Sequence, residues 1–170
     1  GQYLLVSSSQ SCDLFILSAQ ASDKFIVHGY VTFPGLIKSA SFVQHGGVVK
    51  VVAVLHNNLL GGATVPTRPV ANRLEAIPDA EAQTFYRKVD RGSNMVLTSF
   101  AAGDILVCGE DKLLKRYEYP TEKADQIDWK RAPQAPLEEN HSHAVGTSCW
   151  HESQSAKQIV TGGRDGTILI

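Results

Sequence analysis

The sequence predicts an all-β chain built from repeated antiparallel hairpin units, and three observations carry that prediction. Two segments align without gaps: Ile105–Arg116 lies over Ile159–Ile170, each an apolar strand, a small-residue pair, a turn containing Asp and a second strand. The same pattern recurs more weakly from Leu4 and from Val52. Unit starts at residues 4, 52, 105 and 159 are therefore offset by 48, 53 and 54 residues. Repetition at such a period decides architecture before any local feature does. Helical periodicity is absent, with Pro78–Arg87 the one stretch that offers a short helix.

Each element then follows from its residues. Asn57-Asn58, Glu110-Asp111 and Asp165-Gly166 are tight-turn chemistry, since Asn, Asp and Gly tolerate positive φ and Asx side chains bond nearby backbone. The flanking runs are rich in Val, Ile and Leu, as half-buried strands are. A further strand precedes each hairpin at Ser39–Val43, Asn94–Phe100 and Val145–Trp150. Another follows at Lys24–Tyr30, Thr84–Val89 and Gln126–Lys130. Four antiparallel strands in each unit of about 50 residues is the blade of a β-propeller. The expected architecture is a propeller segment of about three four-stranded blades, in units 1–30, 31–90, 91–135 and 136–170, the first and last incomplete. Three and a half units cannot circle an axis that demands at least about four blades. The remainder is expected from the rest of a longer polypeptide or from a second chain, with strand edges left unpaired near both termini.

Composition narrows the function. Of 170 residues, 43% are hydrophobic and 19% charged, which is globular rather than disordered sequence. Lys plus Arg number 16 against 17 Asp plus Glu, and a net charge of -1 gives no electrostatic footprint for nucleic acid or an anionic membrane. Cys12, Cys108 and Cys149 are odd in number without a CxxC spacing, and read as reduced thiols of an intracellular protein. No apolar run approaches the ~20 residues that span a bilayer.

The last unit carries specific residues. Asn140-His141, then Val145, Thr147 and Trp150, then Gln158–Ile170 resemble a WD repeat from its Gly-His start almost to its Trp-Asp end, with Asn140 replacing Gly. In the preceding unit Tyr117-Glu118 takes the place of Trp-Asp. The resemblance is close over residues 93–170 and extends to the first half only in strand spacing and turn type. It implies a structural network of His141, Thr161 and Asp165, extended in the preceding unit to Asp111 and Tyr117. A neutral imidazole would donate to the carboxylate and accept from the hydroxyl. Ser93 and Asn94 stand roughly where the preceding unit would need Gly-His. That unit's network is therefore expected to be broken or water-filled, its stability resting on apolar packing.

Other groups that suggest chemistry have plainer readings. His141, His143, Cys149 and His151 are an imidazole and thiolate set suited to zinc, although their spacing matches no standard site. No G-x-S-x-G elbow accompanies the Ser, His and Asp residues. Gly61-Gly62 and Gly162-Gly163 open no helix and read as strand positions of close approach. Lys112, Lys115, Arg116, Tyr117 and Tyr119 form a basic-aromatic stripe, read as a solvated outer strand with Lys115, Tyr117 and Tyr119 on one face. Thr121–Glu139 is rich in Pro and charge and reads as an exposed excursion, and Pro66–Ala82 is a second long insertion.

The functional expectation is a non-catalytic scaffold that holds other proteins of a multi-subunit complex, without cofactor, metal, nucleic acid, membrane or small-molecule substrate. The competing class is a propeller-based enzyme or metal protein using the histidine cluster. The degenerate repeats and the run Gly109–Pro120 also look like the large WD-repeat proteins of cilia and flagella. That resemblance implies a cytoplasmic, cytoskeletal place in an axonemal complex.

Overall fold

The computed structural model of the chain describes residues 3–8, 10–19, 24–45, 47–66, 68–69, 75–78, 82–88, 94–100, 104–120, 130–131, 141–152 and 157–170. These form fourteen strands in four antiparallel sheets, each a meander in which sequential strands are neighbours. The first sheet holds β1 (Tyr3–Ser7), β2 (Asp13–Ala19) and β3 (Phe25–Thr32). The second holds β4 (Ile37–His45), β5 (Val48–Leu55), β6 (Leu59–Thr64) and β7 (Phe85–Lys88). The third holds β8 (Asn94–Phe100), β9 (Asp104–Gly109), β10 (Leu114–Glu118) and β11 (Lys130–Arg131). The fourth holds β12 (Val145–Glu152), β13 (Lys157–Gly163) and β14 (Ile168–Leu169). Within the Pro78–Arg87 stretch Ala82 is helical, its N–H on the Pro78 carbonyl, residues 79–81 fall outside the described residues, and β7 begins at Phe85. Of the expected strand at Gln126–Lys130, Lys130 lies in β11 and residues 126–129 fall outside the described residues.

Successive sheets stack face to face. Leu14, Ile16 and Val31 of the first sheet and Val51, Ala53 and Leu55 of the second share one buried cluster. Val43, Val52, Val54 and Leu60 share another with Ile105, Val107 and Tyr117 of the third. Leu106 and Cys108, on the opposite face of β9, are also buried, and Cys108 is hydrogen-bonded to Ser148 of β12. β8 lies against β4 on one side and β12 on the other, so the sheets approach one another through their first strands. Full burial of a Val, Leu or Ile is worth about 1.5–3 kcal/mol, and β5 buries every residue from Val51 to Leu55 completely.

The ladders correct one sequence register. Val54 pairs with Leu60, Cys108 with Leu114 and Gly162 with Ile168, so equivalent pairs stand 54 residues apart in both steps. Val51, not Val52, is therefore the counterpart of Ile105 and Ile159. A slip of one residue exchanges the two faces of a strand, and the cluster membership of Val51 and Val52 shows the exchange.

Two other readings change. The described part of the Pro66–Ala82 insertion is no free loop. His28, buried at a bulge in β3, bonds the Pro66 carbonyl through Nε2 at 2.7 Å. Ile77 N–H donates to the Tyr30 carbonyl, Ala76 bridges Tyr30, and Val65, Ile77 and Ala82 enter the first cluster. Gly61 and Gly62 are indeed places of close approach, but to rings rather than to backbone. A Cβ on Gly61 would stand 2.6 Å from the Phe33 ring, and one on Gly62 would stand 2.5 Å from the Phe85 ring.

The third and fourth hairpins turn alike. Lys112 N–H bonds the Gly109 carbonyl as Gly166 N–H bonds that of Gly163, and both residues are left-handed, with φ of 64° and 79°. A side chain in this region is strained, whereas glycine is not. Lys112→Gly is expected to raise stability by about 0.5–1 kcal/mol in chemical denaturation. An unchanged or lowered midpoint would show that the turn stores no strain.

Candidate functional site

Among the described residues a dense set of polar contacts lies where the loop entering β12 meets the turn between β13 and β14. Asp165 sits in that turn and gathers donors from both segments. Its Oδ1 accepts from the Thr167 hydroxyl at 2.6 Å and from Thr167 N–H at 3.0 Å. Its Oδ2 accepts from Ser142 N–H at 2.7 Å, across the gap to the entry loop. His141 is 5% exposed and spans the two: Nδ1 is 3.0 Å from Thr167 Oγ1 and 3.3 Å from Asp165 Oδ1, and Nε2 is 2.9 Å from Thr161 Oγ1. One proton assignment satisfies the whole chain. The Thr161 hydroxyl donates to Nε2, Nδ1–H donates toward Thr167 Oγ1, and the Thr167 hydroxyl donates to Asp165. Arg164 N–H on the Ala144 carbonyl, at 2.8 Å, closes the junction from the backbone side.

The sequence placed His141, Thr161 and Asp165 here but missed two members. Thr167 joins the imidazole and the carboxylate, whose expected contact is present at 3.3 Å, and Ser142 supplies a backbone donor. The available signal was the Asp-Gly-Thr turn, in which a hydroxyl two residues after an aspartate meets its carboxylate. Gly163 is part of the site through the side chain it lacks. A Cβ there would overlap His141 Nδ1 and Asp165 Oδ1, so only glycine lets the ring lie against the strand.

These donors hold the Asp165 carboxyl well below the usual carboxylate range. The Thr167 hydroxyl is the largest cause, the backbone N–H groups of Thr167 and Ser142 and the His141 ring add to it, and desolvation opposes them.

Asp111, 54 residues earlier, has a different partner. Lys115 Nζ lies 2.6 Å from its Oδ2, and Lys115 is only 1% exposed. Leu113 N–H reaches Asp111 Oδ1 at 3.3 Å, as Thr167 N–H reaches Asp165. The third unit has the apolar packing expected of it, and in addition its turn aspartate is held by a partly buried ion pair. The exchange is legible in the ladders. Thr161 pairs with Leu169, and at the equivalent positions Val107 pairs with Lys115. The polar group has crossed from the second strand of the hairpin unit to the third. Ser93 lies outside the described residues.

The basic-aromatic stripe is likewise not a solvated strand. Lys115, Tyr117 and Tyr119 share a face as alternation required, but that face is buried against the second sheet. Tyr119 packs edge-on to Phe85 at 5.7 Å and beneath Lys50 Nζ, 4.7 Å from its ring centre. Burial raises the Tyr119 pKa and lowers that of Lys50.

Of the histidine and cysteine set, His141 is committed to the network. His143, Cys149 and His151 are exposed, and His143 Nδ1 is 3.1 Å from Ser142 Oγ. Among the described residues no three His, Cys, Asp or Glu side chains gather so as to hold a metal ion. Cys108 is buried and its thiol is pushed up to about 11 by desolvation, whereas Cys149 is exposed. Asn140 and nearly all of Thr121–Glu139 lie outside the described residues. The sequence matches no family model and no curated protein.

Two outcomes test this site. Because folding depresses the Asp165 pKa, its stabilisation is complete above the ordinary carboxyl value of 3.8 and is lost as pH falls below it. Denaturation midpoints should therefore drop on acidification below about pH 4, and Asp165→Asn should flatten that limb while lowering the midpoint at neutral pH. Equal acid limbs in the two proteins would remove Asp165 as the linked group. Lys115→Met is expected to cost about 1–3 kcal/mol by leaving Asp111 short of a donor. Lys115→Met with Asp111→Asn should recover part of the loss, since no uncompensated charge remains. A single variant as stable as the wild type would show that the pair contributes nothing.

Proposed function

We propose that this chain is part of a WD-repeat β-propeller and serves as a non-catalytic scaffold for other proteins of a multi-subunit complex. The observation that carries the reading is the Asp165 junction. His141, Thr161, Thr167 and Asp165 bond one another, and their joint effect is to pin an entry loop to a hairpin turn. The residues that would suggest proton transfer thus have a structural task.

Four meanders of three or four antiparallel strands, stacked through their first strands, supply the blade-like framework this reading requires. The exact 54-residue recurrence of turn, aspartate and left-handed residue supports a repeat family. A scaffold of this kind presents loops and rims on a rigid body, and loops on rigid frames are where partner contacts concentrate. The partners are other proteins. Within the same proposal, the likeness of Gly109–Pro120 to the large ciliary and flagellar WD-repeat proteins suggests an axonemal complex.

The experiment is fractionation of the intact, endogenously tagged protein in a ciliated cell. It is expected to sediment with a complex much larger than itself and to remain with axonemes after detergent extraction. Sedimentation as a free, detergent-soluble species would overturn the scaffold reading, and a large complex outside the cilium would overturn the axonemal part alone.

A further inference from the structure

The sequence holds one Asp-Gly pair, Asp165-Gly166, and no Asn-Gly pair. In such a pair the glycine nitrogen can attack the aspartate side chain, because no Cβ on the second residue shields it. The reaction needs no reagent but water. The Gly166 nitrogen gives up its proton and bonds to Asp165 Cγ, the carboxyl hydroxyl leaves as water, and a five-membered cyclic imide forms. The imide then takes up one water. Opening at Cγ restores aspartate. Opening at the main-chain carbonyl gives isoaspartate, whose backbone runs through Cβ and Cγ and whose α-carboxylate becomes the side group. Mass and net charge are unchanged.

In the folded hairpin both reacting groups are engaged. Gly166 N–H donates to the Gly163 carbonyl at 3.1 Å. Asp165 Oδ1 is held by the Thr167 hydroxyl and N–H, Oδ2 is held by Ser142 N–H, and the side chain is only 7% exposed. The same donors keep the carboxyl ionised, and an ionised carboxyl has no hydroxyl to release. Crowding is not the obstacle. Nothing lies within 4 Å of where a Cβ on Gly166 would stand, so the turn has room for an imide ring once those bonds part.

The matched turn of the third sheet lacks the reactive pair. Asp111 is followed by Lys112, which occupies the same left-handed position, with φ of 64°, despite the strain on its side chain. Of the two turns, the one whose aspartate also ties a distant loop is thus the one that carries Asp-Gly.

We propose that Asp165-Gly166 is a latent isoaspartate site: closed while the His141 junction holds, it reacts when the turn parts from the entry loop, and the product keeps the junction open. The added backbone carbon shifts Thr167 and Ile168 along β13, so the Gly163 N–H bond to the Thr167 carbonyl and the Gly162–Ile168 pair lose their register. A transient local opening thereby becomes a lasting one. This modification goes beyond the scaffold reading, and neither depends on the other.

The test is ageing of the purified intact protein at neutral pH and physiological temperature. Isoaspartate at residue 165 is measured by peptide mapping with mass spectrometry and by methyl transfer from S-adenosylmethionine with an isoaspartate methyltransferase. The folded wild type is expected to accumulate it at least ~10-fold more slowly than the same protein in urea, since the reaction rate follows the open fraction. His141→Ala should fall between these limits, with circular dichroism checking that the sheets remain. Thr161→Val, which removes one hydroxyl from the junction, serves the same purpose should His141→Ala unfold. Lys112→Gly in urea should add isoaspartate at residue 111. After removal of urea, aged protein carrying isoaspartate 165 should not regain the wild-type denaturation midpoint. Equal rates in buffer and urea, no isoaspartate 165 in either, or folded junction variants no faster than the wild type would each overturn the proposal. Full recovery of the midpoint by the modified protein would overturn its lasting effect.

Discussion

The stack depends on central strands that are apolar on both faces. A sheet packed between two others has no solvent side, so alternation of polar and apolar residues gives way to a continuous apolar run. Val51–Leu55 is such a run, every residue of it removed from solvent, and Ile105–Cys108 is another. Close packing of these runs sets the requirements on their neighbours. Glycines at 61 and 62 admit the rings of Phe33 and Phe85, and Tyr117 of β10 and Tyr119 just after it turn inward to fill the space between the second and third sheets.

Within so apolar a stack, polar groups are retained where a turn must be tied to its surroundings. The aspartate of the third and fourth hairpin turns holds the backbone N–H two residues on in both units. Its remaining oxygen is satisfied in two ways. In the fourth sheet Ser142 N–H reaches it, beside a buried imidazole and two threonine hydroxyls. In the third sheet a lysine folds back from the next strand to do so. Both solutions meet one demand, that a carboxylate shielded from water be fully hydrogen-bonded, and they differ in what they connect. The His141 solution joins the turn to a distant loop and so fixes how the sheet is entered. The Lys115 solution is local to the hairpin and ties the turn only to its own strand.

That difference bears on function. A junction built from reciprocally bonded groups is rigid and its carboxylate is locked in the charged form, which suits a frame better than a proton donor. The fold is thus a set of antiparallel sheets whose loops can pack on what adjoins them. The insertion after β6 is already used in this way within the chain, as its Ala76 and Ile77 lie along the edge of β3.

By itself the sequence determined the class of fold, the position of most strands, the hairpin turns and three members of the Asp165 junction. These are local matters: turn residues, apolar runs and a spaced pattern of His, Thr and Asp state them directly. It misplaced the second unit by one residue because a strand apolar on both faces carries no alternation from which to read its register. The inward turn of Lys115, Tyr117 and Tyr119 was also out of reach, since a charged and aromatic strand looks solvent-facing until a neighbouring sheet is known to cover it. Nor could it show Lys115 replacing the histidine, because that exchange involves strands paired across a hairpin, Val107 for Thr161 and Lys115 for Leu169. Only the tertiary structure decided these, because which face a side chain occupies, and what lies against it, is set by the packing of one sheet on the next.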